Sequence, residues 1–232
     1  MTLVDLAPAD AMLLDLTPRQ VLAVAGKRLP ARYRRQLARY RYGPGVCKVD
    51  WALSEPIPWR APACARAATV HLGGSADEIA AAARAPRAGR LDVAPFVILA
   101  QPSLFDPTRA PPGRHTAWAY CHVPHACPAD RADAIEAQVE RFAPGFRETI
   151  LGRHTFTAPA LERHDPNLVG GDIAGGSDDL RQLFFRPMPR RDPYATPLPS
   201  LFLCAASTPP GGGVHGMCGY HAARSALVRL AT

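Results

Sequence analysis

Apolar and polar positions alternate with a period of two in several stretches of this chain. Residues 46–53 put Cys47, Val49, Trp51 and Leu53 on one face and Val46, Lys48, Asp50 and Ala52 on the other, behind the turn Gly43-Pro44-Gly45. Residues 68–72, 95–100 and 115–123 are further strands, and 2–6 and 153–156 are shorter candidates. The apolar run 200–206, closed by turn formers, predicts a short buried strand near the end of the sequence. Helical punctuation is as clear. Thr17-Pro18 opens a helix to Ala25 with Gly26 as its stop, and Leu29-Pro30 opens another over 31–40. Ser75 caps residues 76–84 with Glu78 at the capping-box position, and Asp130 caps 131–142, whose Ile135, Val139 and Phe142 form an apolar stripe. A last helix is predicted over 214–230, with Ala222, Ala223, Ala226 and Leu227 suited to close packing. Strands mixed with helices, without regular βαβ alternation, imply an α+β fold with a mostly antiparallel sheet and helices on one face.

Composition narrows this picture. With 25 prolines in 232 residues, the path between strands is irregular and rich in loops. The net charge is +7 and almost wholly arginine, a balance that permits anionic partners without choosing one. In the helix at 31–40, Tyr33, Leu37 and Tyr40 share a face ringed by Arg32, Arg34, Arg35, Arg39 and Arg41. The expected arrangement is tyrosines inward and arginines solvated; a membrane-surface helix and an RNA-stacking patch are the functional alternatives. Six scattered cysteines form no C-x-x-C pair, and Asp5 and Asp10 interrupt the opening apolar residues. No apolar run approaches the ~20 residues that span a bilayer. The expectation is a cytoplasmic protein with free thiols, at most in peripheral contact with a membrane.

Between the strand at 200–206 and the last helix lies a loop of two prolines and three glycines, a place where backbone can approach a ligand closely and helix N–H groups face it. Gly211, Gly213 and Gly216 satisfy G-x-G-x-x-G, but no acidic residue follows Asp192 to hold a ribose, so the dinucleotide reading fails. A tightly packed turn without a ligand is the plain alternative. The second glycine loop, 167–177, lacks the lysine of a P-loop. Cys121, His122, His125 and Cys127 are metal-type ligands, yet Cys121 and His122 are strand neighbours and point to opposite faces, so strand packing is expected and no metal. No serine stands in G-x-S-x-G, which leaves hydrolase chemistry unsupported.

The run from Pro209 to Ala223, PPGGGVHGMCGYHAA, resembles the C-terminal flavin-contact motif of phytoene-desaturase-like FAD oxidoreductases of the amine-oxidase superfamily, in particular the pyridine nucleotide-disulfide oxidoreductase domain-containing protein 2 subgroup. The motifs YGPGVCKVDWAL from Tyr42, QPSLFD from Gln101, WAYCHVP from Trp118 and GGDI from Gly170 agree with it. The resemblance is to the family's C-terminal half and implies the substrate domain of a two-domain flavoprotein, followed by a strand, glycine loop and helix that return to an incomplete FAD domain. On that basis residues 1–16 are a remnant strand of the FAD domain, 17–190 the substrate-binding domain and 191–232 the FAD-contact segment. Gly211, Gly212, Gly213, Val214, His215, Gly216 and Met217 would contact FAD, and Gly171, Asp172 and His215 would line the substrate pocket. The implied reaction moves hydride from an apolar small molecule to flavin. No catalytic residue is assigned. The family's N-terminal Rossmann segment has no counterpart here, so the expectation is a fragment, or half of a split enzyme with a separately encoded N-terminal partner, inactive alone. A non-catalytic module for an apolar or isoprenoid-like ligand and a basic nucleic-acid binder are the competing readings.

Overall fold

A computed structural model of the protein describes Leu3 and residues 8–231. The candidate strand at 2–6 therefore lies outside the described residues except for Leu3, which is buried. The chain divides into two compact units, one of Pro44–His164 and one of Met1–Gly43 with Asp165–Thr232. Residues 17–43 and 165–190 thus group with the terminal strand and helix rather than with the large sheet.

The Pro44–His164 unit holds a five-stranded sheet built from β2 (Gly45–Leu53), β3 (Thr69–Leu72), β4 (Val97–Ala100), β5 (His115–Val123) and β6 (Ile150–Phe156), in the order β3-β4-β5-β2-β6. Every neighbouring pair is antiparallel, as the α+β reading expects. Alternation decides which face is covered. Cys47, Val49, Trp51 and Leu53 are at most 2% exposed and pack with Ala117, Ala119, Cys121 and Val123 against Ile135 and Val139 of α4 (Ala132–Phe142). Trp51 meets Phe146 edge-on at 5.1 Å and donates from Nε1 to the buried Glu136 carboxylate at 3.1 Å, which also receives Arg153 at 2.9 Å. The predicted capping box is present at α3 (Ala76–Arg87): Glu78 N–H donates to Ser75 Oγ, and Ser75 N–H to Glu78. That helix runs three residues beyond the expected end, with Pro86 in its last turn. α5 (Ala158–His164) closes the unit.

In the other unit β1 (Met12–Leu14) pairs in parallel with β7 (Leu201–Leu203), and α1 (Pro18–Ala25) and α2 (Ala31–Leu37) pack Val21, Ala25, Tyr33 and Leu37 with Leu201, Leu203 and Met188. Tyr33 of α2 and Tyr40 just beyond it do point inward, at 4% and 8% exposure, while Arg32, Arg34, Arg35, Arg39 and Arg41 are exposed. Their rings are unavailable for stacking on bases. α2 ends at Leu37 rather than at 40, because Tyr40 is drawn out to donate to Gly175 O at 2.7 Å. Thr17 stands at the N-cap of α1 without capping it; its hydroxyl accepts from Tyr42 and its N–H donates to Asn167 Oδ1. A short α6 (Leu180–Phe184) precedes the proline-rich connector, and α7 (Met217–Leu230) ends the fold. α7 begins three residues later than predicted: Val214 has φ 52° and Gly216 φ 69°, both incompatible with a right-handed helix. Ala222 and Ala226 are buried as expected, whereas Leu227 is 67% exposed.

Candidate functional site

After β7 the chain makes an elbow whose two ends are held and whose middle is open. Thr208, fully buried, accepts from Gly211 N–H at 2.9 Å and donates from Oγ1 to Ala205 O at 2.8 Å. Cys218 Sγ reaches the carbonyls of Thr208 and Gly211 at 3.5 and 3.4 Å, which pins the first turn of α7 back on the loop. Between these anchors every residue from Gly212 to Met217 is exposed. Gly211, Gly213 and Gly216 have φ of 105°, 153° and 69°. Val214 shares the left-handed region at 52° and has its side chain wholly in solvent. A β-branched residue in that conformation is strained, and strain of this kind persists where the surrounding structure imposes it and concentrates at ligand sites.

His215 bends over the loop. Its Nδ1 accepts from Met217 N–H at 3.0 Å, so the ring caps the helix that follows, and that bond places a neutral ring's proton on Nε2. A Cβ on Gly213 would stand 2.8 Å from this ring. The Met217 N–H, expected to face a ligand, is thus taken by the protein's own imidazole.

The second glycine loop lies directly against the elbow. A Cβ on Gly212 would meet Ala174 O at 3.1 Å, and one on Gly175 would meet Ala206 at 2.7 Å. Asp172 is 1% exposed; its Oδ2 accepts from Gly43 N–H at 2.7 Å and its Oδ1 from Ala174 N–H at 2.8 Å. Both oxygens are engaged by backbone, so Asp172 fixes the shape of the loop, and neither is presented to a substrate as a proton acceptor. Gly170 and Gly171, also buried, supply the left-handed turn before it. Burial holds the Tyr40 phenol well above its ordinary range, which keeps it the donor in its bond to Gly175 O.

Arg186 is a functional candidate that no sequence motif singles out. It is 4% exposed and donates from Nε to Gln182 O at 3.2 Å, from Nη1 to Ala206 O at 3.1 Å, and from Nη2 to Ser177 O at 3.1 Å and Gly176 O at 3.5 Å. One guanidinium therefore holds the second glycine loop and the segment that follows β7 together, and a Cβ on Gly211 would stand 3.3 Å from its Nη1. Nothing in the local sequence separates this arginine from the many exposed ones. On the sheet, Cys121 is buried on the core face and His122 exposed on the other, so the two do not converge, and among the described residues no cluster of three or more His, Cys, Asp or Glu side chains could hold a metal ion.

The chain is 38% identical over 141 residues to pyridine nucleotide-disulfide oxidoreductase domain-containing protein 2 of Mus musculus, a match over 56% of this chain and 24% of that protein. It is 32% identical over 130 residues to a neurosporene-forming phytoene desaturase of Cereibacter sphaeroides, over 51% of this chain and 24% of the relative. The chain is similar to the phytoene-desaturase-like oxidoreductases, as its motifs imply. The matched segment spans about a quarter of these relatives. No protein-family model matches. Among solved structures, an oxidoreductase from Methanosarcina mazei superposes with TM-score 0.52 at 13% identity, over 94% of this chain and 43% of the other. A putrescine oxidase carrying two substitutions, from a redesign of its cofactor binding, superposes with TM-score 0.54 at 14% identity, over 96% and 43%. These likenesses show a shared fold. Among the described residues no helix is long and apolar enough to cross a membrane.

Proposed function

We propose that this chain forms the substrate-facing and flavin-closing part of an FAD-dependent oxidoreductase that removes hydride from an apolar substrate. The observation that carries the reading is the open elbow. From Gly212 to Met217 the backbone is exposed, four residues of the loop have positive φ, and a Cβ on Gly216 would meet nothing within 4 Å. Such a surface suits a flat ring laid against backbone.

In this reading Gly212, Gly213, Val214, Gly216 and Met217 line the ring, the buried Gly211 holds the near end of the elbow through its bond to Thr208 O, and His215 holds the first turn of α7 in register. FAD, when bound, supplies the hydride acceptor at flavin N5. The amino end of α7, with the Met217 N–H already bonded to His215, would supply partial positive charge toward negative charge on a bound flavin. Asp172 and Gly171 shape the neighbouring loop from beneath, and within the Pro44–His164 unit the five-stranded sheet would offer a wall for the substrate. In this reading the ADP part of FAD would be held by a separate dinucleotide-binding segment. The six cysteines are all free, which suits a reducing compartment such as the cytoplasm.

The test is reconstitution with a polypeptide that carries a dinucleotide-binding strand–helix unit, followed by flavin absorbance. Gly213→Val and Gly216→Val are expected to lose the bound flavin. Gly219→Ala, where an added Cβ meets nothing within 4 Å, is expected to keep it. Unchanged flavin content in both valine variants overturns the assignment.

A further inference from the structure

The face of the five-stranded sheet turned away from α4 is laid out in rows across three strands. In one row Lys48 of β2 stands between Phe156 of β6 and Tyr120 of β5. In the next, Asp50 stands between His154 and Trp118. Lys48 Nζ pairs with Asp50 Oδ1 and lies 5.6 Å from the centroid of Trp118 and 5.9 Å from that of Phe156. Trp118 and Tyr120 stack at 6.4 Å with 14° between their planes, and His154 meets Phe156 edge-on at 4.6 Å. The side chains of Lys48 and Asp50 keep 29% and 40% of their exposure. A lysine and an aspartate, each flanked by rings on both neighbouring strands, therefore sit among four rings.

Rings in this arrangement offer apolar, polarisable surface to an unsaturated molecule. The ion pair does not suit a plain hydrocarbon. Laid over Lys48 and Asp50, a hydrocarbon would strip water from both charges and return no hydrogen bond. Asp50 takes one of the three N–H donors of the ammonium, and a ligand oxygen can take another. Resting on the reading of this sheet as the substrate wall, we propose that the face selects an unsaturated molecule bearing a carboxylate or carbonyl oxygen. Lys48 Nζ receives the oxygen, and the unsaturated portion lies over Trp118, Tyr120 and Phe156. Asp50 tunes the contact from the other side: it orients the ammonium and opposes an excess of negative charge in the ligand.

Equilibrium dialysis of the full chain with farnesoate and with farnesene, which share an isoprenoid skeleton and differ in the carboxylate, tests this. Farnesoate is expected to bind at least ~10-fold more tightly than farnesene, the scale of one charge-assisted hydrogen bond. Lys48→Met should erase that preference and leave farnesene within ~2-fold of its starting affinity, the scale at which no hydrogen bond has been lost. Asp50→Asn should strengthen farnesoate binding. Opposite signs in two neighbouring substitutions separate recognition from a general loss of fold, which thermal melting of each variant checks independently. If Trp118→Ala weakens both probes but Lys48→Met leaves their ratio unchanged, the wall stands and the polar selection falls. Polar selection falls equally if farnesene binds as tightly as farnesoate, or if Asp50→Asn weakens farnesoate. If Trp118→Ala and Phe156→Ala leave both affinities unchanged, or neither probe binds, the substrate-wall reading falls and this inference with it.

Discussion

Arg186 donates from Nη1 to Ala206 O at 3.1 Å and so hangs the segment after β7 on the same guanidinium that holds Ser177. A planar group with five donors satisfies several carbonyls at once, which an ammonium on a flexible stem does not. Arg186→Met removes its donors from Ala206 O and Gly176 O, while Ser177 O keeps Gln182 Nε2 at 3.3 Å, at about 1–3 kcal/mol for each acceptor that water does not reach. The expected result is a loss of about 3 kcal/mol or more in urea unfolding, and Arg186→Lys is expected to recover only part of it.

Gly176 has φ 144°, and a Cβ there would stand 1.8 Å from Tyr40 Oη. Gly176→Ala must push the tyrosine off Gly175 O or shift the loop. With backbone strain and overpacking each worth about 1–3 kcal/mol, a loss of about 2–4 kcal/mol is expected in thermal melting. Gly152→Ala on β6, where a Cβ meets nothing within 4 Å, is the control and is expected to be neutral or stabilising by about 0.5 kcal/mol.

Glu140 accepts from Gly145 N–H at 2.6 Å and from Arg147 N–H at 3.0 Å, and the bond from Gly145 first of all holds its carboxyl below the ordinary 4.5. A depressed value means that the ionised form stabilises the fold. Its contribution is complete above about pH 4.5 and is lost as pH falls through the lower folded value. Glu140→Gln is therefore expected to cost on the order of 1 kcal/mol at pH 7, the scale of a charge-assisted bond. The gap to the unsubstituted protein should close on acidification, as followed by urea midpoints from pH 7 to pH 3. A gap that widens toward acid would contradict the assignment.

Burial pushes the Cys47 thiol up to about 11 and the Cys121 thiol up to about 12. Both face the sheet core, while Cys64 and Cys127 are only half-buried. Brief treatment of the native protein with iodoacetamide at pH 8 should label Cys64 and Cys127 and spare Cys47 and Cys121, as mass spectrometry of the peptides will show.

The legible elements are those whose signal is local and repeated. Residues 46–53 alternate over four pairs, and the buried set is the one the alternation names, although Val46 at the strand's start is buried as well. The Ser75–Glu78 box places a helix start to the residue. β1, α5 and α6 are too short, at three, seven and five residues, for any period to declare itself. The start of α7 departs from the helical pattern because Val214-His215-Gly216 carries no mark of its left-handed conformation. That conformation follows from anchors at Thr208 and Cys218, outside the tripeptide. Thr17 departs from its expected role for a related reason: its hydroxyl has a distant partner in Tyr42 that outcompetes the local cap.

By itself the sequence determined the class of fold, the covered face of the sheet and the glycines that let two loops approach one another, because steric permission and hydrophobic period are properties of the chain alone. Tertiary structure decided that Asp172 braces a loop, that one arginine among many is buried, and that Lys48 and Asp50 sit between rings from two other strands. Those assignments depend on which distant groups share a few ångströms, and strand register and loop packing set that distance.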